Sequence, residues 1–340
     1  MIIKRIKIFL LIFLLCSIHS NSYSDDIYID PEPYATDSTH NNKYYEGLNI
    51  IVVTANDYAT KIGYEILQNG GTVFDAAISI QMALGLVEPQ SSGLGGGLFI
   101  TFFDNNSKKV MTYEGRETAP KNINQNLFLD ENQKPKKFFS AVVGGLSVGT
   151  PATLKALYEL NRDYGTIEWK YLLQPVIYLA REGFIPPKRL VSALKKEKYL
   201  FEVEPYSKFK EILNNPNEKF FNLDYANTLE KISENIEDFY NGQIASNIVE
   251  KIKSSKNPGF MTKRDLSDYK VQKKSALCHK LKNEFKVCGP SLPSSGTICV
   301  LQALKLYESL LRENKIVGSK EKFRLKLSIL NFVYYLRDKY

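Results

Sequence analysis

Histidine is almost missing from this sequence, which has three in 340 residues. One of them, His19, lies in an N-terminal apolar stretch, so His40 and His279 are left for the rest of the chain. Serine-protease-like triads need a histidine base, and many zinc sites use histidine ligands. We therefore expect no histidine-dependent triad and no metal site, and nothing in the sequence calls for a cofactor.

Cysteine is also scarce, with four residues in the chain. Cys278, Cys288 and Cys299 lie outside the N-terminal stretch, and their spacing matches no zinc-binding pattern. Cys278 and Cys288 flank a segment that reads as a β-hairpin, in which they would face each other. In an exported protein such a pair can form a disulfide or remain as two buried thiols, and the sequence favours neither.

A phosphate-binding loop is the first function suggested by the glycines of EPQSSGLGGGLFITFFD, residues 88–104. Such a loop follows a strand, opens a helix and ends in Lys-Ser or Lys-Thr. Here a helix is predicted before the glycines, at 73–87, and a strand after them, at 98–103. No Lys-Ser or Lys-Thr follows, so the sequence argues against a phosphate site.

Strong net charge is lacking as well. The formal charge is +8, and residues 1–24 contribute three positive and no acidic side chains, which leaves +5 for the remainder. The short lysine clusters at 134–137 and 195–198 accompany no nucleic-acid-binding motif. We interpret them as solvated surface and expect no nucleic-acid partner.

The N-terminus has the pattern of an export signal. Lys4, Arg5 and Lys7 precede an apolar run at 8–16, and Ser22-Tyr23-Ser24 forms a small-x-small cleavage site before Asp25. The apolar run is too short for a stable membrane span. We predict a signal peptide at 1–24 and a periplasmic or secreted protein, with an uncleaved anchor as the alternative. Lipidation at Cys16 is disfavoured because Leu15 stands where a small residue is expected.

The remaining chain is predicted to hold a loose polar leader at 25–48 and one α+β domain at 49–340. Thr150-Pro151 is expected to cap a helix that runs to Tyr164. The last helix, 323–337, is strongly apolar and needs a partner surface. The other predicted elements are a strand at 49–54, helices at 57–68, 73–87, 167–181, 225–237, 244–253 and 298–311, a hairpin at 98–103 and 110–114, and a short helix capped by Thr262.

Several motifs together resemble the large-chain region of the γ-glutamyltranspeptidases, also called glutathione hydrolases. They occur in the order and at roughly the spacing of that family, from about residue 50 to residue 340. The motifs are NGGTVFDAAISIQMALGLVEPQSSGLGGGLFI (69–100), YEGRETAP (113–120), SVGTPATL (147–154), YGTIEWKYLLQPVIYLAREGF (164–184), DFYNGQIA (238–245), TKRDLSDYK (262–270) and PSLPSSG (290–296).

The resemblance implies the N-terminal-nucleophile hydrolase fold, an αββα sandwich, present here only in part. It also implies that a precursor cuts itself into a large and a small chain. The new N-terminal Thr of the small chain would attack the γ-glutamyl amide of glutathione or a related compound. The acyl group would then pass to water or to an acceptor amine. The free α-amine of that Thr can act as base for its own hydroxyl, so no histidine is needed.

Arg116 matches the arginine that the family uses for the α-carboxylate of the substrate. A planar guanidinium can donate two parallel N–H bonds to a carboxylate, which a lysine cannot do. From the residues alone, an ion pair with Glu114, Glu117 or another acid is the alternative role. We expect Glu117 to orient Arg116 or its loop, while the glycine-rich turn either passes tightly under the site or simply packs there.

Other polar residues are assigned structural roles. Asp75, at the start of a predicted helix, is expected to be a cap or structural acid. Ser294 and Ser295 look nucleophilic, but no base accompanies them. One departure from the family is Thr297, where a further glycine is usual after PSSG.

The nucleophilic Thr and the rest of the small chain have no counterpart in this sequence. We therefore expect no catalytic residue in the chain and no γ-glutamyl turnover by it alone. It could be one piece of a two-chain enzyme whose partner is the small chain, a truncated inactive remnant, or a domain that binds γ-glutamyl ligands or a protein partner. Acylase-like specificity on the same fold is a further alternative.

Overall fold

The computed structural model describes residues 46–339, except 48, 198, 205, 206, 283 and 315–317. The predicted signal peptide, nearly all of the predicted leader, Cys16 and His40 therefore lie outside the described residues. Among the described residues, no helix combines the length and apolar character needed to cross a membrane.

Helices predominate, and five strands are seen among the described residues. The first part of the chain contains α1 (Asp57–Gln68), α2 (Val73–Val87), β1 (Leu98–Asp104), β2 (Lys109–Gly115), α3 (Phe138–Val142), α4 (Thr153–Tyr164), α5 (Trp169–Glu182), α6 (Lys188–Lys196) and α7 (Tyr199–Val203). The second part contains α8 (Phe209–Asn214), α9 (Leu223–Glu234), α10 (Glu237–Tyr240), α11 (Gln243–Ser254), α12 (Lys263–Ser267), β3 (Gln272–Ser275), β4 (Leu277–Lys280), β5 (Lys286–Gly289), α13 (Ser295–Asn314) and α14 (Ser319–Lys339).

Side-chain caps start several of these helices. The Asn56 side chain accepts a hydrogen bond from the backbone N–H of Tyr58 at the start of α1. Thr72 and Asp75 form a reciprocal capping box at the start of α2, and Thr262 caps α12 in the same way. Each cap satisfies backbone N–H groups that have no partner inside the helix. The predicted roles of Asp75 and Thr262 are confirmed.

The main sheet has the order β1-β2-β3 and is antiparallel. The predicted hairpin is confirmed, with Leu98 opposite Gly115 and Asp104 opposite Lys109. Ile100 and Phe102 point into the core, where Phe102 packs on Phe74 of α2 at a ring distance of 4.9 Å. Phe103, on the other face, is 58% exposed. Within the described chain, helices thus cover one face of the sheet and leave the outer side of β1 open.

The core lies among α2, α4, α5 and α9. Leu157, Leu172, Leu173 and Leu229 are all at least 98% buried, and α5 packs along both α2 and α9. Trp169, the single tryptophan, donates its indole N–H to the carbonyl of Ile232 at 3.0 Å. These helices form the rigid layer behind the sheet.

The predicted strand at 49–54 is wrong. Residues 50–54 belong to no strand, and no backbone hydrogen bond to another described residue is formed at positions 50–53. A strand requires a neighbour to complete its ladder, and β-branched composition alone does not supply one. Ile51 and Val53 consequently remain 62% and 86% exposed.

The predicted cap at Thr150-Pro151 is also wrong. Helix α4 begins at Thr153, and its N-cap residue Ala152 makes no side-chain cap bond. Thr150 instead joins an antiparallel bridge, with its N–H bonded to the carbonyl of Thr118 at 2.8 Å. The carbonyl of Gly96 takes over the capping role by accepting from the N–H groups of Ala152 and Thr153.

The Cys278 hairpin and the last two helices lie outside the main core. Cys278 and Cys288 stand opposite each other in β4 and β5 and are joined by a disulfide, whereas Cys299 is free. Helix α13 packs on this hairpin, and α14 packs on α13. Ile329 and Val333 of α14 are buried, whereas Phe323 and Tyr335 are 62% and 56% exposed, so part of this helix stays uncovered within the described chain.

Candidate functional site

The candidate site is built around Arg116, the first residue after β2. Its side chain is 56% exposed, and its Nη1 donates to Oε2 of Glu117. Glu114, the other carboxylate considered as a partner, pairs with Nζ of Lys274 at 2.5 Å. Within the described chain no acceptor other than Glu117 contacts the Arg116 guanidinium. More than half of the side-chain surface is thus open to solvent, where a carboxylate ligand can reach the guanidinium.

Tyr269 holds the backbone of Arg116 in place. Its hydroxyl donates to the Arg116 carbonyl at 2.9 Å, and the side chain is almost fully buried. Burial raises the pKa of Tyr269 well above its usual value, and the nearby carboxylates of Glu114 and Glu117 raise it further. The hydroxyl therefore stays protonated and remains a hydrogen-bond donor throughout the range in which proteins are folded.

A cluster of charges fixes the strand that follows Tyr269. Lys273 of β3 contacts two acids of α4, Glu159 at 3.0 Å and Asp163 at 2.5 Å. Tyr113 of β2 donates to the same Asp163 carboxylate at 2.5 Å. Burial would raise the pKa of Asp163, but the hydrogen bonds from Lys273 and Tyr113 outweigh it and lower the pKa. The ionised carboxylate thus ties β2 and β3 to α4 behind the site.

The glycine-rich turn lies directly beneath the Arg116 loop. A Cβ on Gly97 would lie 2.5 Å from the carbonyl oxygen of Gly115 and 2.5 Å from Oε2 of Glu117. A Cβ on Gly149 would lie 3.0 Å from Cβ of Glu117. The Glu117 side chain therefore occupies space that only glycine leaves free. The tight passage under the site that the sequence suggested is present at Gly97.

Gly97→Ala is expected to destabilise the protein by about 1 to 3 kcal/mol, because the added methyl overlaps a backbone carbonyl that cannot rotate away. It should also push Glu117 off Arg116. Gly95→Ala is the matched control, since no described atom lies within 4 Å of its Cβ position and the residue is exposed. Urea unfolding of both variants measures the difference. Equal stabilities for the two would contradict the close approach at Gly97.

Two buried hydroxyls border the same site. Thr150 and Thr153 are each 1% exposed, and neither Oγ1 has a hydrogen-bond partner in the described chain. The Cβ position of Gly96 is 4.0 Å from Oγ1 of Thr153 and 3.8 Å from Oε1 of Glu117. The start of α4, the glycine turn and the Arg116 loop therefore meet at one place.

The sequence identified some of this site and missed the rest. Arg116, Glu117 and the glycine turn are brought together as expected. Tyr269 was not singled out, although it lies in the motif TKRDLSDYK, because a contact across 153 positions leaves no local signal. Asp75 is not part of this site. Its carboxylate accepts hydrogen bonds from the hydroxyl of Thr166 and the N–H of Ile167.

Neither predicted non-catalytic serine has a base beside it. Among the described residues, no histidine or carboxylate accepts a hydrogen bond from the hydroxyls of Ser294 or Ser295, which stand at the start of α13. Across all the residues that the structure describes, no three His, Cys, Asp or Glu side chains are grouped so that they could hold a metal ion.

Comparison with known proteins adds independent information. Residues 59–340 match the family model described as Gamma-glutamyltranspeptidase. The chain is 31% identical over 306 residues to the glutathione hydrolase proenzyme of Bacillus subtilis strain 168, covering 86% of this chain and 50% of the relative. It spans about half the length of the curated relatives it matches.

Solved structures show the same similarity at the level of the fold. The γ-glutamyltranspeptidase of Helicobacter pylori superposes with a TM-score of 0.77 at 26% identity, over 86% of this chain and 84% of that chain. The γ-glutamyltranspeptidase of Pseudomonas nitroreducens, solved in complex with L-DON, also has a TM-score of 0.77, at 27% identity and 87% coverage of that chain. The predicted fold class, that of the N-terminal-nucleophile hydrolases, is confirmed.

Proposed function

The chain belongs to the γ-glutamyltranspeptidase family, and we propose that it is the large-chain part of a γ-glutamyltransferase and glutathione hydrolase. Its task is to bind the α-carboxylate of the γ-glutamyl group through Arg116. The reactive Thr is supplied by a small chain. One observation carries the assignment: the guanidinium is half exposed, with one nitrogen held by Glu117 and its backbone held by Tyr269.

The lengths of the relatives support a two-chain assembly. The chain covers 50% of the Bacillus subtilis relative, which is named a proenzyme, but 84% and 87% of the two solved chains. The region matched here thus makes up most of one polypeptide in those two structures. The other half of the family protein would hold the nucleophile.

The geometry supports a specific contribution of this chain to the proposed reaction. Glu117 engages Nη1 and leaves the other N–H groups of the guanidinium available to a ligand. An α-carboxylate bound there anchors the ligand at the end remote from the γ-amide. Holding the ligand in one orientation lets the Thr hydroxyl of the small chain meet the amide carbon, and such positioning is a large part of enzymatic rate enhancement.

Export fits the same proposal. The signal-like pattern at 1–24 directs the chain out of the cytoplasm, and the Cys278–Cys288 disulfide is of a kind that persists in oxidising compartments. The protein would act on extracellular or periplasmic glutathione.

Binding of L-glutamate and glutathione to the purified chain tests the role of Arg116. Arg116→Ala should weaken both affinities at least about 10-fold, because hydrogen bonds to charged groups contribute roughly 1.5 to 3 kcal/mol. Arg116→Lys should recover only part of this, since lysine cannot form the two-pronged contact. Isothermal titration calorimetry gives the affinities.

Arg181→Ala is the control, because Arg181 is also exposed and also paired with one carboxylate, Glu230 at 2.7 Å. Equal affinities for the Arg116 and Arg181 variants would refute the binding role. The same preparations should release no chromophore from γ-glutamyl-p-nitroanilide. Clear release by the pure chain would show that it carries its own nucleophile. That result would overturn the proposal that a small chain supplies the reactive Thr.

A further inference from the structure

Oxygen atoms surround the space beside Gly96 in the glycine-rich turn. A Cβ at this position would lie 3.6 Å from the carbonyl oxygen of Gly93, 3.8 Å from Oε1 of Glu117 and 4.0 Å from Oγ1 of Thr153. Apart from the adjoining residues of the chain, no described atom comes closer. A carbonyl, a carboxylate and a hydroxyl thus face one point, and the space suits a polar occupant.

The hydroxyl of Thr153 is the group that most needs such an occupant. The residue is 1% exposed, and its Oγ1 has no hydrogen-bond partner within the described chain. Buried polar atoms are nearly always bonded to protein or to ordered water. The N–H of Thr153 donates to the carbonyl of Gly96 at 3.1 Å, so the start of α4 is held beside this space.

Glu117 reaches the same space with one of its two carboxylate oxygens. Oε2 accepts from Nη1 of Arg116, whereas Oε1 is the oxygen near Gly96. The rest of the side chain lies against Gly97 and Gly149, where an added Cβ would meet it. Whatever bonds to Oε1 therefore helps to fix the carboxylate that holds the Arg116 guanidinium.

We propose that one buried water molecule occupies this space and that Thr153, acting through it, positions Glu117 and Arg116 for the ligand carboxylate. This inference rests on the proposed function. The water accepts from the hydroxyl of Thr153 and donates to Oε1 of Glu117 and to the carbonyl of Gly93. Both of its protons and the orphaned hydroxyl are then used. A bridge of this kind holds its partners nearly as well as a direct hydrogen bond.

A metal ion fits the space less well. Ca²⁺ takes about six to eight oxygen ligands, and Mg²⁺ demands a nearly regular octahedron. Three oxygens face the point beside Gly96, and one of them, on Glu117, belongs to a carboxylate that already pairs with Arg116. A buried water needs about two to four polar partners, which this space provides.

Two substitutions remove the water in different ways. Thr153→Val keeps the shape of the side chain but deletes the hydroxyl. Gly96→Ala puts a methyl group into the space, and it should fold, because its nearest contact is 3.6 Å and the φ angle of Gly96 is not positive. Each should weaken the binding of L-glutamate to the purified chain about 3- to 10-fold, the effect of one hydrogen bond. Thr153→Ser restores the hydroxyl and should bind nearly as wild type does.

The double variant Gly96→Ala/Thr153→Val tests whether both changes act on one water. If they do, its affinity should lie within about twofold of the weaker single variant, because effects on a shared partner do not add. Gly95→Ala adds a methyl group to the same turn in open space and should leave the affinity unchanged. Fully additive losses, equal losses for the two glycine variants, or no recovery with Thr153→Ser would overturn the inference.

Crystal structures of wild type and Gly96→Ala examine the water without any ligand. Wild type should show an ordered water bonded to Oγ1 of Thr153 and Oε1 of Glu117, and the variant should lack it. No water there in wild type overturns the inference. Unchanged affinity in the Thr153→Val and Gly96→Ala variants, beside a loss for Arg116→Ala, overturns it and leaves the proposed function intact. Equal affinity of wild type and Arg116→Ala overturns the proposed function and the positioning role with it.

Discussion

Arg189→Met is expected to lower the free energy of unfolding by about 3 to 5 kcal/mol, as removal of one partner from a buried ion pair usually does. Arg189 of α6 donates from Nη1 to Oε2 of Glu88 at 3.0 Å, and the Glu88 side chain is only 2% exposed. Without the guanidinium, a carboxylate remains in the interior with no countercharge.

Glu88 is held by more than Arg189. Asn56, the cap of α1, donates to Oε1 at 3.0 Å, and the neighbouring Gln90 donates to Oε2 at 2.5 Å. The carboxylate thus joins the end of α2 to the starts of α1 and α6, just before the glycine-rich turn. Loss of the ion pair should loosen that turn as well as lower stability.

Two further variants show whether the loss of stability comes from the buried ion pair. Arg181→Met breaks the exposed pair with Glu230 and should cost no more than about 1 kcal/mol. The double variant Glu88→Leu/Arg189→Met removes both buried charges and should recover much of the loss. Urea unfolding followed by fluorescence of the single tryptophan measures all of them. A loss for Arg189→Met no larger than for Arg181→Met would show that the pair is not buried in solution.

Asp75→Ala should cost about 3 to 5 kcal/mol, because one fully buried carboxylate satisfies several donors at once. Asp75 accepts from the N–H and hydroxyl of Thr72, both at 2.8 Å, and from the hydroxyl of Thr166 at 2.9 Å. The N–H of Thr166 also lies within 3.2 Å. Alanine would leave these groups without a partner and detach the loop before α5 from the start of α2.

The same site predicts a dependence of stability on pH. Burial would raise the pKa of Asp75, but the hydrogen bonds from Thr72 and Thr166 outweigh it and lower the pKa below its ordinary value. A carboxyl with a lowered pKa in the folded state contributes stability at pH values above about 4, and that contribution is lost as pH falls through the folded-state pKa. Wild type should therefore lose stability below about pH 4 more steeply than Asp75→Ala.

Asp57→Ala provides the control, since Asp57 is also an acid in the first turn of a helix, but is exposed. Its replacement should cost less than about 1 kcal/mol, through the helix dipole alone. Acid titrations of wild type and both variants, followed by circular dichroism, measure the effect. Equal losses of stability for Asp57→Ala and Asp75→Ala would contradict the role of the Asp75 carboxylate as a shared hydrogen-bond acceptor.

Local signals in the sequence predicted the elements well. The role of Asp75 at the start of α2, the cap at Thr262 and the turn between β1 and β2 depend on residues within a few positions of one another. The main errors concern backbone groups whose partners are distant. The residues around Thr150 predict a helix cap there. Thr150 instead donates its N–H to the carbonyl of Thr118, 32 positions away. Residues 49–54 have the composition of a strand but no partner within the described chain.

The candidate site was predicted in part for the same reason. Arg116 was found because the family motif GRETAP surrounds it. Its contact with Tyr269 and the pairing of Glu88 with Arg189 join positions 153 and 101 residues apart. No periodicity or spacing links such residues. Their roles follow only from the fold that brings them together.

The unpaired segment at 50–53 has a consequence for the life of this chain in the cell. Four consecutive β-branched residues, with two side chains largely in solvent and no charge among them, form a short template that can recruit identical segments from other molecules. While it stays uncovered, such a segment is an aggregation hazard of the cross-β kind. Anything that covers residues 50–53 would accordingly favour the soluble form of the protein.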